Sequence, residues 1–168
     1  VTYIVDGEDF ATDSIAFGAE IVLREQPTKE GHTFSGWSEA PATMPAKDIV
    51  IEGTFTVNSY VVKYIVDGEE FATDSIAYGA EITLRELPTK EGYTFSGWSE
   101  IPATMPAQDV VVEGNFTVNS YIVTFMLDGE VFKMVTVEYG ALIELPEVPE
   151  KEGMEFSGWQ DVPTTMPA

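Results

Sequence analysis

Cysteine is absent from this sequence, histidine occurs once, and basic residues are scarce, with 8 Lys and Arg against 29 Asp and Glu for a formal net charge of −21. Each shortage excludes something. Without cysteine there are no disulfides, no thiol nucleophile and no cysteine-ligated metal; the compartment stays open, because bacterial surface proteins and cytosolic proteins alike can lack it. Without clustered Lys and Arg there is no counterion release from a nucleic-acid backbone and no attraction to an anionic membrane surface, so nucleic acid is not expected as a partner. The acid excess reads as a solvated surface. No apolar run approaches the length of a membrane span and no signal-peptide pattern is present, so membrane insertion is not expected in this segment.

What the sequence has in abundance is repetition. The stretch "PTKEGHTFSGWSEAPATMPA" at 27–46 returns as "PTKEGYTFSGWSEIPATMPA" at 88–107 and as "PEKEGMEFSGWQDVPTTMPA" at 149–168. Trp37, Trp98 and Trp159 are spaced by 61 residues, as are Gly18, Gly79 and Gly140, and Met44, Met105 and Met166. A 61-residue period exceeds that of helical-repeat solenoids and is about the smallest chain that folds alone, which predicts small autonomous domains on a string. The expected boundaries are 1–59, clipped at its N-terminal side, 60–120, and 121–168, which lacks a closing strand. The chain reads as a fragment whose targeting segments lie elsewhere.

The copy at 60–120 shows the local plan. "YVVKYIVDGEEFATDSIAYG" is a hairpin around Asp67-Gly68, the pair that supplies the positive φ of a type I′ turn, and it recurs at Asp6-Gly7 and Asp128-Gly129. Val62, Tyr64 and Val66 form its apolar face. Pro88 and Gly92 suit a single helical turn or a wound loop. A strand is expected from Tyr93 to Trp98, then a crossing bounded by Pro102 and Pro106, then one continuous closing strand over 109–119, with its counterpart over 48–58. The link to the next copy is two or three residues, which restricts the joint far more than a Gly/Ser linker would.

Residues 1–61 and 62–122 agree at 49 of 61 positions, so their agreement carries little information; residues 123–168 match the second copy at 24 of 46 positions. The survivors are mostly turn glycines, prolines and large apolar residues. Trp159 with Phe156 and Met166 would line a sugar-stacking platform if exposed, but one Trp per copy reads first as a core anchor. Chemistry is sparse. His32 is replaced by Tyr93 and Met154, and Ser35, Ser96 and Ser157 have no evident base, so no catalytic residues, no cofactor and no metal ligands are assigned. Asp6/Glu8, Asp67/Glu69 and Asp128/Glu130 flank the hairpin glycines; they lack the alternating oxygen ligands of known calcium loops, and turn chemistry is preferred to weak calcium binding. Lys29, Lys90 and Lys151 raise an isopeptide bond to Asn58 or Asn119, against the simpler reading of solvated turn lysines.

At "YGAEITLRELPTKEGYTFSGWSE" the sequence resembles the Listeria-Bacteroides repeat, or internalin B-type repeat, through Tyr78-Gly79, Pro88, Lys90, Gly92, Tyr93, Phe95, Gly97 and Trp98 and their equivalents 61 residues either side. Met154 departs from the usual aromatic. The resemblance implies a mainly β (α+β) chain of tandem β-grasp-like, ubiquitin-like units with hairpins and at most one short helical turn each. It also implies an extracellular place on a bacterial surface protein and a stalk or spacer role, the alternative being an adhesion module for a host protein or glycan. No catalytic residue is implied. Expected partners are neighbouring repeats and, at the third copy, another chain paired where the closing strand is missing. Phe17, Tyr78 and Tyr139 are the candidate exposed aromatics for a binding role.

Overall fold

The computed structural model describes residues 1–147 and 150–168. Val148 and Pro149, the latter one of the prolines recurring at the 61-residue spacing, lie outside the described residues. The first copy contains β1 (Thr2–Val5), β2 (Glu8–Thr12), β3 (His32–Phe34), β4 (Val50–Gly53) and β5 (Phe55–Val57). The second contains β6 (Ser59–Val66), β7 (Glu69–Ala77), β8 (Tyr93–Phe95), β9 (Val110–Gly114) and β10 (Phe116–Val118), and the third β11 (Ser120–Leu127) and β12 (Glu130–Glu138). The protein is thus a mainly β tandem repeat, with no helix among the described residues; at Glu91-Gly92 the chain makes a turn, the wound-loop form of the Pro88–Gly92 segment.

The sheets are small: β2-β1-β4, β3-β5, β7-β6-β9, β10-β8 and β11-β12. Two compact units emerge. One holds Val1–Tyr64, Phe71–Thr83 and Glu100–Val112, the other Ile65–Glu70, Leu84–Ser99 and Glu113–Ala168, so each draws on more than one copy.

The hairpins follow from their turn residues. Asp6 and Gly7 have φ of 53° and 84°, and Asp67-Gly68 and Asp128-Gly129 repeat this, the paired positive values of a type I′ connection. In β2 one extra residue, Phe10, stands between the pairs Tyr3↔Ala11 and Ile4↔Asp9, and in β12 Phe132 takes the same place. A bulge re-aims its side chain: the rings of Phe10 and Phe132 reach Trp37 and Trp159 at 5.8 and 5.6 Å.

The closing segment corrects the expectation of one continuous strand. It is two strands serving two sheets: β4 lies parallel to β1 (Tyr3↔Ile51, Val5↔Gly53), and after Thr54 β5 turns to pair antiparallel with β3 (Phe34↔Phe55). Gly53 permits the switch because the Phe34 ring occupies the place of its side chain: an added Cβ would lie 2.1 Å from Phe34 Cζ. The strand expected over Tyr93–Trp98 likewise stops at Phe95, since Gly97 has φ of 88°.

The proline-bounded crossing is held by the segment after the aromatic-glycine pair. Gly18 N–H donates to Met44 O at 2.9 Å and Met44 N–H to Ala19 O at 2.8 Å, and Met105 and Met166 repeat both bonds. Met44 thereby enters the first core with Val1, Tyr3 and Ile51, flanked by Ile15, Ile21 and Trp37. The apolar hairpin face expected from Val62 and Tyr64 is seen, both residues being fully buried, while Val66 is half-buried.

Tyr3 is 0% exposed and its hydroxyl has no hydrogen-bond partner. A buried unpaired hydroxyl costs about 1–3 kcal/mol, and the third copy carries Phe125 at the equivalent position. Tyr3→Phe is therefore expected to raise the melting temperature, by roughly 4–8 °C per kcal/mol gained for a cooperative unit of 60–100 residues. A lower melting temperature would show that the hydroxyl is engaged.

Candidate functional site

The residues singled out in the sequence converge on the place where one copy meets the next. β5 ends at Val57 and β6 begins at Ser59, so a single residue, Asn58, links them. Asn58 N–H donates to Gly31 O at 2.8 Å, and its own carbonyl accepts from Tyr78 N–H at 2.8 Å. Its side-chain oxygen accepts from Thr33 Oγ1 at 2.7 Å. The linker is thus bonded on both backbone groups and on its side chain, and cannot behave as a free hinge.

Tyr78 completes the joint. Its ring covers Gly31, whose added Cβ would fall 2.1 Å from Tyr78 Cγ, and it meets His32 edge-on at 5.8 Å and 74°. Gly31 is buried and has φ of 67°. Glycine is required there twice over, for the left-handed backbone and for room under the ring. The arrangement recurs one period later. Asn119 N–H donates to Gly92 O at 2.9 Å, Tyr139 N–H to Asn119 O at 2.8 Å, and Thr94 Oγ1 to Asn119 Oδ1 at 2.6 Å. An added Cβ on Gly92 would lie 2.2 Å from the Tyr139 ring, which meets Tyr93 at 6.0 Å and 75°.

Of the three candidate aromatics, Tyr78 and Tyr139 are therefore half-buried joint residues, whereas Phe17 is 78% exposed. The lysines flank the same turns. Lys29 Nζ lies 5.5 Å from the Phe55 ring centroid and Lys90 Nζ 4.0 Å from that of Tyr93, the geometry of cation–π contacts, which exposed sites reward with about 0.5–1 kcal/mol. Since the Asn58 side chain is engaged by Thr33 and Lys29 faces Phe55 and Asp6, this geometry does not favour a lysine–asparagine isopeptide bond.

Asp6 is used by the backbone. Its N–H donates to Gly53 O at 3.1 Å and its Oδ1 accepts from Phe55 N–H at 2.8 Å; Asp67 holds Gly114 and Phe116 in the same way. The hairpin turn thereby clamps the closing segment where it changes sheets. Among the described residues no group of three or more His, Asp or Glu is placed to hold a metal. The serines are also occupied: Ser35 Oγ donates to Gly36 O at 3.0 Å and accepts from Thr54 N–H at 2.9 Å. His32 Nδ1 contacts Glu30 O at 2.8 Å.

The tryptophans are half-buried with their nitrogens satisfied. Trp37 Nε1 donates to Arg24 O at 2.8 Å, Trp98 to Arg85 O at 2.9 Å and Trp159 to Pro146 O at 3.3 Å. Trp37 packs between Tyr3, at 5.1 Å, and Phe34, at 5.0 Å. Beside it the Arg24 guanidinium bonds the Asp13 carboxylate and, chiefly through that hydrogen bond, holds it below the usual range. A depressed carboxylate stabilises the fold above its unfolded pKa, and that contribution is lost as pH falls through the folded one. The third copy has Val135 and Pro146 in place of this pair.

The joint and the clamp escaped the sequence reading because their partners lie far apart in the chain. The available signals were the Lys-Glu-Gly turn and the aromatic-glycine pair, both recurring at the same spacing.

The chain matches the Listeria-Bacteroides repeat domain over residues 1–57, 60–118 and 121–165. It is similar to internalin H of Listeria monocytogenes, at 37% identity over 133 residues, covering 69% of this chain and 23% of that protein. It is also similar to two Evansella cellulosilytica proteins named "Putative membrane protein" and "Putative Gly-rich membrane protein", each at 32% identity; they cover 82% and 85% of this chain, and 24% and 19% of those proteins. The chain thus spans about a quarter or less of the length of these relatives. With nearly its whole length matched in three consecutive blocks, the chain belongs to the Listeria-Bacteroides repeat domain family.

Proposed function

We propose that this chain is a non-catalytic spacer segment of an extracellular bacterial cell-surface protein, a semi-rigid stalk carrying other domains of its parent away from the cell. The observation that carries the reading is the joint: one bonded asparagine and one tyrosine seated on a glycine, built twice with the same geometry. A flexible tether needs neither. The hairpin β1–β2 with β4 laid parallel beside β1 supports a β-grasp-like description of each copy. The occupation of Ser35, His32 and Asp6 by structural bonds supports the absence of catalysis. Strands of the length of β6 and β7 span roughly 25–30 Å at about 3.3 Å per residue, so a stiff tandem adds several nanometres of reach.

Small-angle scattering of the chain and of a Tyr78→Ala/Tyr139→Ala variant tests this. An elongated distance distribution is expected for the parent chain, and a broader, more heterogeneous one once the tyrosines are removed. A compact envelope indifferent to the substitutions would sink the stalk.

The rival reading, an adhesion module for a host protein or glycan, has one observation in its favour. On the outer face of β11–β12, Ile122, Met126, Val131 and Met134 are all at least half exposed; Val131 and Met134 stand where the first copy has Asp9 and Thr12. Glycan-array or host-surface binding lost on replacing these residues by serine would favour adhesion.

A further inference from the structure

The third copy contains a groove of about 700 Å³ that runs along β11 from Val123 to Asp128 and is walled opposite by Phe156, Ser157 and Trp159. We propose that this groove is an acceptor for an extended strand of the sequence type Val-x-Val-Glu-Gly-x-Phe-Thr-Val, laid parallel to β11 and then turning antiparallel along residues 154–156. A strand of that pattern supplied by another chain would bind there by completing the sheet.

The occupant is specified by the other two copies. There, the equivalent slot is filled by β4–β5 and by β9–β10. In the first copy the incoming strand is received by Thr2 N–H to Ile49 O at 2.9 Å, Asp6 N–H to Gly53 O at 3.1 Å and Ser35 N–H to Thr54 O at 2.8 Å, and it donates from Phe55 N–H to Asp6 Oδ1 at 2.8 Å. Its Ile51, and Val112 in the second copy, are fully buried in the floor.

In the third copy β11 pairs with β12 alone among the described residues, leaving its other edge open. The receiving groups are all present: Asp128 for Asp6, Ser157 for Ser35, Phe156 for Phe34, and Phe125 with Trp159 for the floor. Asp128 Oδ2 is held by Lys151 Nζ at 3.1 Å, with both side chains more than half exposed, so a strand N–H would compete only with a surface ion pair. One contact is not reproduced, because Ser38 and Ser99, whose hydroxyls accept Glu52 and Glu113 N–H, correspond to Gln160.

Selectivity comes from the glycine. At Gly53 and Gly114 an added Cβ would lie 2.1 Å from a phenylalanine Cζ, and Phe156 places the same ring beside the groove. The groove therefore rejects an otherwise identical strand with alanine at that position.

The test titrates the intact chain with a synthetic peptide of residues 108–119 and follows backbone amide resonances. Expected is saturable one-to-one binding, with shifts at Val123–Asp128 and Ser157–Trp159, weakened at least tenfold when the peptide's glycine is replaced by alanine. Asp128→Asn in the chain should weaken it several-fold. No saturable binding at millimolar peptide, equal binding of the alanine peptide, or shifts confined to the first two copies would each overturn the proposal.

Discussion

Gly92→Ala is expected to destabilise the second compact unit by about 2–4 kcal/mol, whereas Gly153→Ala in the same unit should cost only about 1–2 kcal/mol. The two glycines share a backbone conformation, with φ of 74° and 75°, so the strain of a side chain in the left-handed region is common to both. They differ in what sits above them. A Cβ at Gly92 would lie 2.2 Å from the Tyr139 ring, while at Gly153 nothing stands within 4 Å. The excess at Gly92 therefore measures the joint, as the overpacking cost of a displaced ring. Urea unfolding of both variants supplies the comparison, and Tyr139→Ala supplies the control: with the ring gone, Gly92→Ala should cost no more than Gly153→Ala. Equal losses at the two glycines in the parent chain would mean that the tyrosine contributes nothing to stability.

Gly114→Ala should cost about 1–3 kcal/mol for a different reason. Gly114 has no left-handed strain, so its requirement is purely steric: an added Cβ would lie 2.1 Å from Phe95 Cζ and 3.0 Å from Gly97 O. The Phe95 ring has little room to retreat, packed at 4.9 Å against Trp98 and at 5.1 Å against Phe116. Phe95→Ala will be destabilising by itself, yet it opens the space the new methyl needs. The double variant should then be more stable than the sum of the two losses predicts, by 1 kcal/mol or so. Strict additivity would show that the glycine is there for backbone freedom and not for the ring.

How much of this was legible depended on how far apart the cooperating residues lie. The Asp-Gly turns declared their conformation locally, and the alternation of Val62 and Tyr64 declared the buried face. The 61-residue period declared the architecture before any strand was assigned. What failed did so at long range. Residues 109–119 read as one strand because β-formers run almost unbroken through them; the only internal sign of a switch was Gly114, and a glycine within a strand marks close approach of another group. The bulge at Phe10 left no sign in the alternation. Asp6 was assigned to its turn correctly, but its clamp on Phe55 spans 49 residues and has no local signature. Tyr78 and Tyr139 were visible as recurring aromatics, and only the fold showed that each belongs to the glycine of the copy before it.

The closing segment also bears on how such a chain is made. It is the last part of each copy to leave the ribosome and the part that ties both sheets together, so no copy can close until its synthesis is almost finished. With 49 of 61 positions shared, the closing segment of the second copy suits the first copy's slot nearly as well as its own. Translation separates the two rivals in time: at about 5–20 residues per second, the second emerges roughly 3–12 s after the first. Small β-rich units with non-local pairing fold in about milliseconds to seconds. The first slot is filled before its competitor exists. A chain refolding from denaturant has no such lead, because both segments are present from the first instant and the nearly identical neighbours can exchange them.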